Sequence, residues 1–242
     1  MKKHLLLAVC AISVLCVSEV QAIEIKKPEV GALKNVTSTV GNVASSLTPT
    51  SVRGTIATLN EKLVNADATV QTSFNSLVSA LSSKEEANEI KAKINAINGN
   101  KDLSASEKSA KVAEVMSDYG STLKEQQAEL GESLKSASEA KRTEVANAVI
   151  ALAVASYQYL DIANDCKSVA MSISTNPTLA VTLAPELASL KDTGVILKNN
   201  VTSLKNVTTQ AVAVAKIGGL EIKIPKQSAS KATKVDLNKL DK

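Results

Sequence analysis

The sequence predicts an all-α fold, an elongated bundle of about five to six helices with coiled-coil-like packing. Apolar residues step by threes and fours over long stretches, and Ile56, Leu63, Val70 and Leu77 fall on a strict seven-residue repeat, the spacing of a seam between helices. The aromatic residues are only Phe74, Tyr119, Tyr157 and Tyr159. The core must therefore be filled by Leu, Ile, Val and Ala, which suit narrow interhelical seams and fit poorly around a deep ligand pocket, so a large enclosed site is not expected. Helix-start and helix-stop residues punctuate the periodic stretches.

Met1 to Ala22 comes first. Lys2 and Lys3 precede an apolar run from Leu5 to Val17, and Val20-Gln21-Ala22 carries small residues where a signal peptidase cuts, so residues 1–22 are expected to be a cleaved export signal. The run is about 13 residues long, short of the roughly 20 needed to span a bilayer. Val9 and Leu15 stand before Cys10 and Cys16, where a lipoprotein signal wants a small residue, so no lipid anchor is expected. The protein is expected to be secreted: extracellular, or periplasmic in a bacterium.

Ile23-Glu24-Ile25-Lys26 alternates apolar and charged residues, and Leu220-Glu221-Ile222-Lys223-Ile224-Pro225 repeats the pattern, so the two segments form either a short β-ribbon or two extended arms. Val30, Leu33, Val36, Val40, Val43 and Leu47 have helical spacing, and Thr48-Pro49 is read as the end of that segment. A long helix over about 51–82 follows. Ser83 with Glu86 reads as a capping box, and Asn98-Gly99-Asn100 as a stop in which glycine takes left-handed geometry. Ser104 with Glu107 opens another helix, which continues to Thr175 as one piece or as two broken near Gly120 or Gly131. Asn176-Pro177 reads as a fresh N-cap and first turn. The last helix is expected from Pro185 to Gly218-Gly219, and the Lys-rich tail beyond Pro225 reads as disordered. The domains are thus 1–22 (signal), 23–219 (bundle) and 220–242 (short strand and basic tail). The long helices are expected to be antiparallel, with the low-charge N- and C-terminal segments packed together beside the apolar helix that ends at Ile173.

Charge is uneven: residues 82–144 hold 22 charged side chains, residues 29–81 hold 6 and residues 145–217 hold 9. The middle is the solvated part, and the flanking Val- and Thr-rich helices must rely on tertiary contacts. The pentapeptide Leu33-Lys34-Asn35-Val36-Thr37 recurs as Leu204-Lys205-Asn206-Val207-Thr208, without the fixed period of a repeat protein.

After the signal the chain has no histidine, no tryptophan and a single cysteine, Cys166. Histidine-assisted nucleophiles, histidine metal ligands and multi-cysteine metal sites have no residues to build them. No catalytic, cofactor-binding or metal-binding residue is assigned, and an enzyme is not expected. Loss of Lys2, Lys3 and Glu19 removes a net +1 from the chain's +4 and leaves +3, too weak a field to recruit nucleic acid. Cys166 lies on the stripe Tyr159, Ile162, Ala163, Val169, Ile173 and is read as a buried small hydrophobe or as half of an intermolecular disulfide. Asn35, Asn200 and Asn206 head N-glycosylation sequons in a host that uses them. Glu85, Glu86, Glu89 and Glu125, Glu129, Glu132 are read as solvated helix faces. Val145 to Leu160 has no charge over 16 residues and is either a central buried helix or a segment that meets membrane.

The first expectation is a non-enzymatic structural or protein-binding module, self-associating or bound to a protein partner. In its secretion, aromatic poverty and amphipathic helices the chain resembles the exchangeable apolipoproteins of the apolipophorin III kind, with a short echo at Phe74-Asn75-Ser76-Leu77-Val78. That resemblance implies a lipid carrier whose bundle opens on lipid, although its helices carry fewer charges than lipid-exchanging helices do. A helical pore inserting Val145 to Leu160 is the third reading.

Overall fold

The computed structural model describes residues 48–224. The expected signal, the Ile23–Lys26 half of the ribbon, the segment from Val30 to Leu47 with Asn35, and the tail from Pro225 lie outside them. Seven helices occur among the described residues: α1 (Pro49–Leu81), α2 (Lys84–Gly99), α3 (Ala105–Glu125), α4 (Gln127–Lys135), α5 (Glu139–Ser174), α6 (Pro177–Thr182) and α7 (Ala184–Ile217). The protein is all-α there.

Local chemistry sets the helix ends. Thr48 does not end a segment but opens α1: its hydroxyl accepts from the Ser51 amide at 3.2 Å, Ser51 Oγ accepts from the Thr48 amide at 3.1 Å, and Pro49 takes the first helical position, where its missing N–H is no loss. Ser83 caps α2 through the Glu86 amide, and Ser104 forms a full capping box with Glu107 on α3. Asn176 caps α6 ahead of Pro177. Helix α2 stops at Gly99 as expected but not by left-handed geometry, since Gly219 is the one glycine at positive φ among the described residues. At Gly219 the Leu220 amide reaches Ala215 O at 2.8 Å and the Gly219 amide reaches Lys216 O at 3.1 Å, the paired bonds of a Schellman ending. Leu220, expected to begin a strand, is instead buried behind that turn. Residues 220–224 form no strand.

The region from Ser104 to Thr175 divides at Gln126 and again at Ser136 to Ser138, not at the glycines. Gly120 and Gly131 sit inside helices because α7 passes close to them. A Cβ on Gly120 would stand 2.7 Å from Asn206 Nδ2, and one on Gly131 would stand 2.3 Å from Ile217 Cγ2. Both are notches for a neighbour rather than breaks.

Helix α5 packs against both α1 and α7, and α7 packs in turn against α3 and α4. Lys62 pairs with Asp165 and Asp67 meets Tyr159, so α1 and α5 run antiparallel. Gly194 faces Ala163 and Cys166 while Arg142 reaches Gly219, so α5 and α7 run antiparallel as well. The low-charge helices α1 and α7 thus both pack on α5, bridged at one end by Arg53 and Glu186 at 3.0 Å. Helices α3 and α4 pack along α7, and α3 also meets α1 through Tyr119. Against expectation α3 runs parallel to α7: Ser109 meets Asn200, Gly120 meets Asn206 and Gln127 meets Gln210.

Of the seven-residue repeat, Ile56, Val70 and Leu77 are buried and Leu63 is half-buried against them; with Phe74 of α1 they join Val145, Val149, Leu152 and Ile162 of α5, and Leu197, Leu204 and Ala211 of α7, in one core. Each fully buried aliphatic side chain of this kind contributes roughly 1.5–3 kcal/mol, which compensates for the weak intrinsic helicity of the Val- and Thr-rich segments. Helix α5 is long and apolar enough to cross a membrane, yet 67% of its most apolar window is buried inside the bundle.

Candidate functional site

Helices α1 and α3 meet at one level and diverge from it. At the junction the rings of Phe74 and Tyr119 pack edge to face with centroids 5.4 Å apart, and the Ser82 hydroxyl donates to Tyr119 Oη at 3.2 Å. Burial pushes the Tyr119 phenol up, which keeps it neutral. Away from this junction α3 follows α7, and a cavity of about 500 Å³ opens between α1, α2, α3 and α7, with Tyr159 of α5 on its wall. It is a half-open cleft rather than the large enclosed site that an aliphatic bundle disfavours, left because α3 splays from α1 and because the residues facing the gap include Ser109, Ala113, Ser189 and Thr193, whose small side chains leave it unfilled.

The cavity is zoned along the bundle axis. Val70, Phe74, Ala113, Met116, Leu197 and Leu204 line its inner part and are all buried. Asn98, Ser104, Lys108, Ser189 and Asp192 line the opposite part. Between the two, Asp67, Tyr159, Ser109 and Asn200 form a polar girdle. Their common level follows from the helix register: Gly194 lies against Ala163 and Cys166, so the antiparallel partner of Tyr159 on α7 falls near Asn200.

Tyr159 donates its hydroxyl hydrogen to Asp67 Oδ1. Burial raises the Asp67 carboxyl to about 6, while the bond from Tyr159 pulls it the other way. The same burial, joined by the neighbouring Asp67 charge, drives the Tyr159 phenol well above its ordinary value. Near neutrality the pair is therefore a carboxylate held by a neutral phenol. No cation lies within ion-pair distance of Asp67 among the described residues. Lys62, about a turn away on α1, is engaged by Asp165 at 3.1 Å, and Lys108 Nζ donates to the Asn98 carbonyl at 3.0 Å. Across the cavity Asn200 Nδ2 donates to Ser109 Oγ at 2.7 Å, leaving Asn200 Oδ1 buried without a partner. The girdle thus presents one charged acceptor, Asp67, to a largely apolar space, while Asn200 Oδ1 is covered by protein.

The residues singled out from the sequence fall elsewhere, with one exception. Cys166 is buried at 2% exposure on the α5–α7 seam, and burial raises its thiol to about 11. A disulfide to another copy would require that seam to open. Asn206 is packed over Gly120. Asn200, read as a sequon, is the exception, because it lines the cavity and its amide nitrogen is occupied by Ser109. The acids Glu85, Glu89, Glu125, Glu129 and Glu132 lie on exposed faces, and Glu86 is half-buried. No group of three or more metal-ligating side chains occurs among the described residues. Asp67 and Tyr159 went unassigned as site residues, although the sequence carries a trace of their role: Asp67 stands among Leu63, Val70 and Phe74 at helical spacing, a carboxylate set into an apolar stripe.

Comparison of the chain with models of known protein families, with curated proteins and with solved structures finds no match.

Proposed function

We propose that the protein is an exported, non-enzymatic carrier that holds one small molecule with an apolar body in the cavity between α1, α3 and α7. The observation that carries this reading is the cavity itself. Its volume of about 500 Å³ lies within the roughly 300–1,000 Å³ of small-molecule sites, and its apolar wall with a few convergent polar groups has their usual make-up. The reading keeps the lipid-handling expectation and changes its mechanism: the ligand enters a preformed space, and the bundle need not open onto a lipid surface. The seam residues Ile56, Val70 and Leu77 are buried within the single chain, as are Val149, Leu152 and Val154 of the uncharged stretch in α5. Those stripes are spent on folding, so they weigh less for a protein-binding scaffold or an inserting pore.

The test is titration of the full chain with a neutral solvatochromic dye such as Nile red, beside Ala113→Phe, which fills the inner part. Saturable one-to-one binding with blue-shifted emission, lost in Ala113→Phe at unchanged helicity, supports the carrier. Absence of saturable binding, or binding indifferent to the filled cavity, refutes it.

A further inference from the structure

We propose that the cavity selects amines: its ligand carries an ammonium group on a single apolar chain or ring body, and the ammonium seats at the girdle on the Asp67 carboxylate oxygen that Tyr159 leaves open. This rests on the carrier reading and adds the chemistry of the head group.

The girdle lacks a counter-ion. A carboxylate withdrawn from water is costly unless a cation and hydrogen bonds replace its hydration. Asp67 has one such bond, from Tyr159. The two lysines closest by sequence and cavity position, Lys62 and Lys108, point their ammonium groups at Asp165 and at the Asn98 carbonyl. Asn200 Oδ1 is covered by protein, so Asp67 is the charged acceptor that the girdle presents to the cavity. A carboxylate without a counter-ion beside a largely apolar space calls for a donor-rich cation. An alkylammonium supplies a positive charge and three N–H donors, one of them for the second oxygen of Asp67.

The surroundings favour the same polarity of binding. Around the girdle, half-buried Leu63, Val112 and Ile196 line the cavity, with buried Val70 and Met116 beneath them, a bed for the apolar body. On the other side Lys108 and Asp192 both line the cavity, so the outer part carries no excess of positive charge to hold a carboxylate head. A fatty acid would bring its own charge against Asp67. A neutral alcohol could serve that acceptor but would leave the Asp67 charge uncompensated. The volume suits one chain rather than a two-chain lipid.

Calorimetric titration of the full chain at pH 7.5 with decylammonium, 1-decanol and decanoate tests this, repeated on Asp67→Asn and Ala113→Phe. Asparagine keeps the shape at position 67 and still accepts from Tyr159, so that variant folds with the charge removed. Decylammonium is expected to bind at least about tenfold more tightly than decanol, the scale of one charge-assisted hydrogen bond, with decanoate weakest. Asp67→Asn is expected to bring decylammonium down to the level of decanol without weakening decanol. Preference for decanoate, equal binding of all three, or an unchanged preference in Asp67→Asn overturns the amine assignment while the carrier stands, provided Ala113→Phe abolishes binding. If none of the three binds, the carrier reading falls with it.

Discussion

Replacing Asp67 by Asn should stabilise the unliganded protein at neutral pH, because the native carboxylate is half-buried against a phenol with no counter-ion. The carboxyl is displaced from 3.8 to about 6 by burial, which corresponds to about 3 kcal/mol at ~1.4 kcal/mol per pH unit. The sign follows from proton binding. Between the two values the folded protein holds the proton more tightly than the unfolded chain, so this group's contribution is fully present below about pH 4, falls as pH rises, and is gone above about pH 6. At pH 7.5 the ionised group therefore weakens the fold. Asparagine keeps the bond from Tyr159 and removes the buried charge, for an expected gain of about 1–3 kcal/mol. The other charged groups near this region are the Lys62–Asp165 pair, Lys108 and Asp192, all present in both proteins. Their titration cancels in the difference. So does that of Glu107, whose carboxyl is held below its ordinary value by the Ser104 hydroxyl and then the Ser104 amide and whose stabilisation fades on acidification. The assay is urea denaturation followed by circular dichroism at pH 4, 5, 6 and 7.5 for both proteins. Asp67→Asn should exceed the parent above pH 6, and the difference should shrink towards pH 4. A variant less stable at pH 7.5, or a difference that ignores pH, would refute the account of the girdle.

The two classes of helix glycine should respond oppositely. Gly54→Ala meets nothing within 4 Å and should gain roughly 0.5–1 kcal/mol from helix propensity, whereas Gly131→Ala, with Ile217 Cγ2 at 2.3 Å and Val214 O at 3.3 Å, should lose about 1–3 kcal/mol by overpacking. Urea midpoints compare them directly. Cys166, buried and with its thiol raised to about 11, should resist an aromatic disulfide reagent in the native protein and react stoichiometrically in urea; prompt native reactivity would place it at the surface. Phe74→Leu, which removes the ring that meets Tyr119, should cost about 1–2 kcal/mol and let α1 and α3 separate further, seen as faster hydrogen exchange in α3.

Much of the architecture is legible in the sequence because helix ends are written locally. Ser83, Ser104 and Asn176 each have a side-chain oxygen placed to accept an amide of the first turn, and no distant residue is needed to recognise that. The heptad stripe of α1 is legible for a similar reason, since its periodicity alone fixes which face is buried. What resists reading is anything set by the identity of the neighbouring helix. Gly120 and Gly131 look like breaks in isolation and become notches once α7 lies across them. Thr48-Pro49 fits an end as well as a beginning, and only the reciprocal bonds with Ser51 decide it.

The cavity belongs to that second category. Small residues such as Ala113 and Ser109 are indistinguishable in sequence from those that let helices pack closely; they line a void only because α3 follows α7 in parallel and leaves α1 beyond Phe74. Packing chosen for stability alone would place a large aliphatic residue at one of these positions and an apolar one at position 67. The chain instead keeps an unfilled space of about 500 Å³ and sets on its wall a half-buried carboxylate with no counter-ion. A gap or an uncompensated charge alone has a local explanation, as imperfect packing or an accident of register. The two on one wall lower stability together for no structural return, and a ligand that fills the space and neutralises the charge would remove both penalties at once.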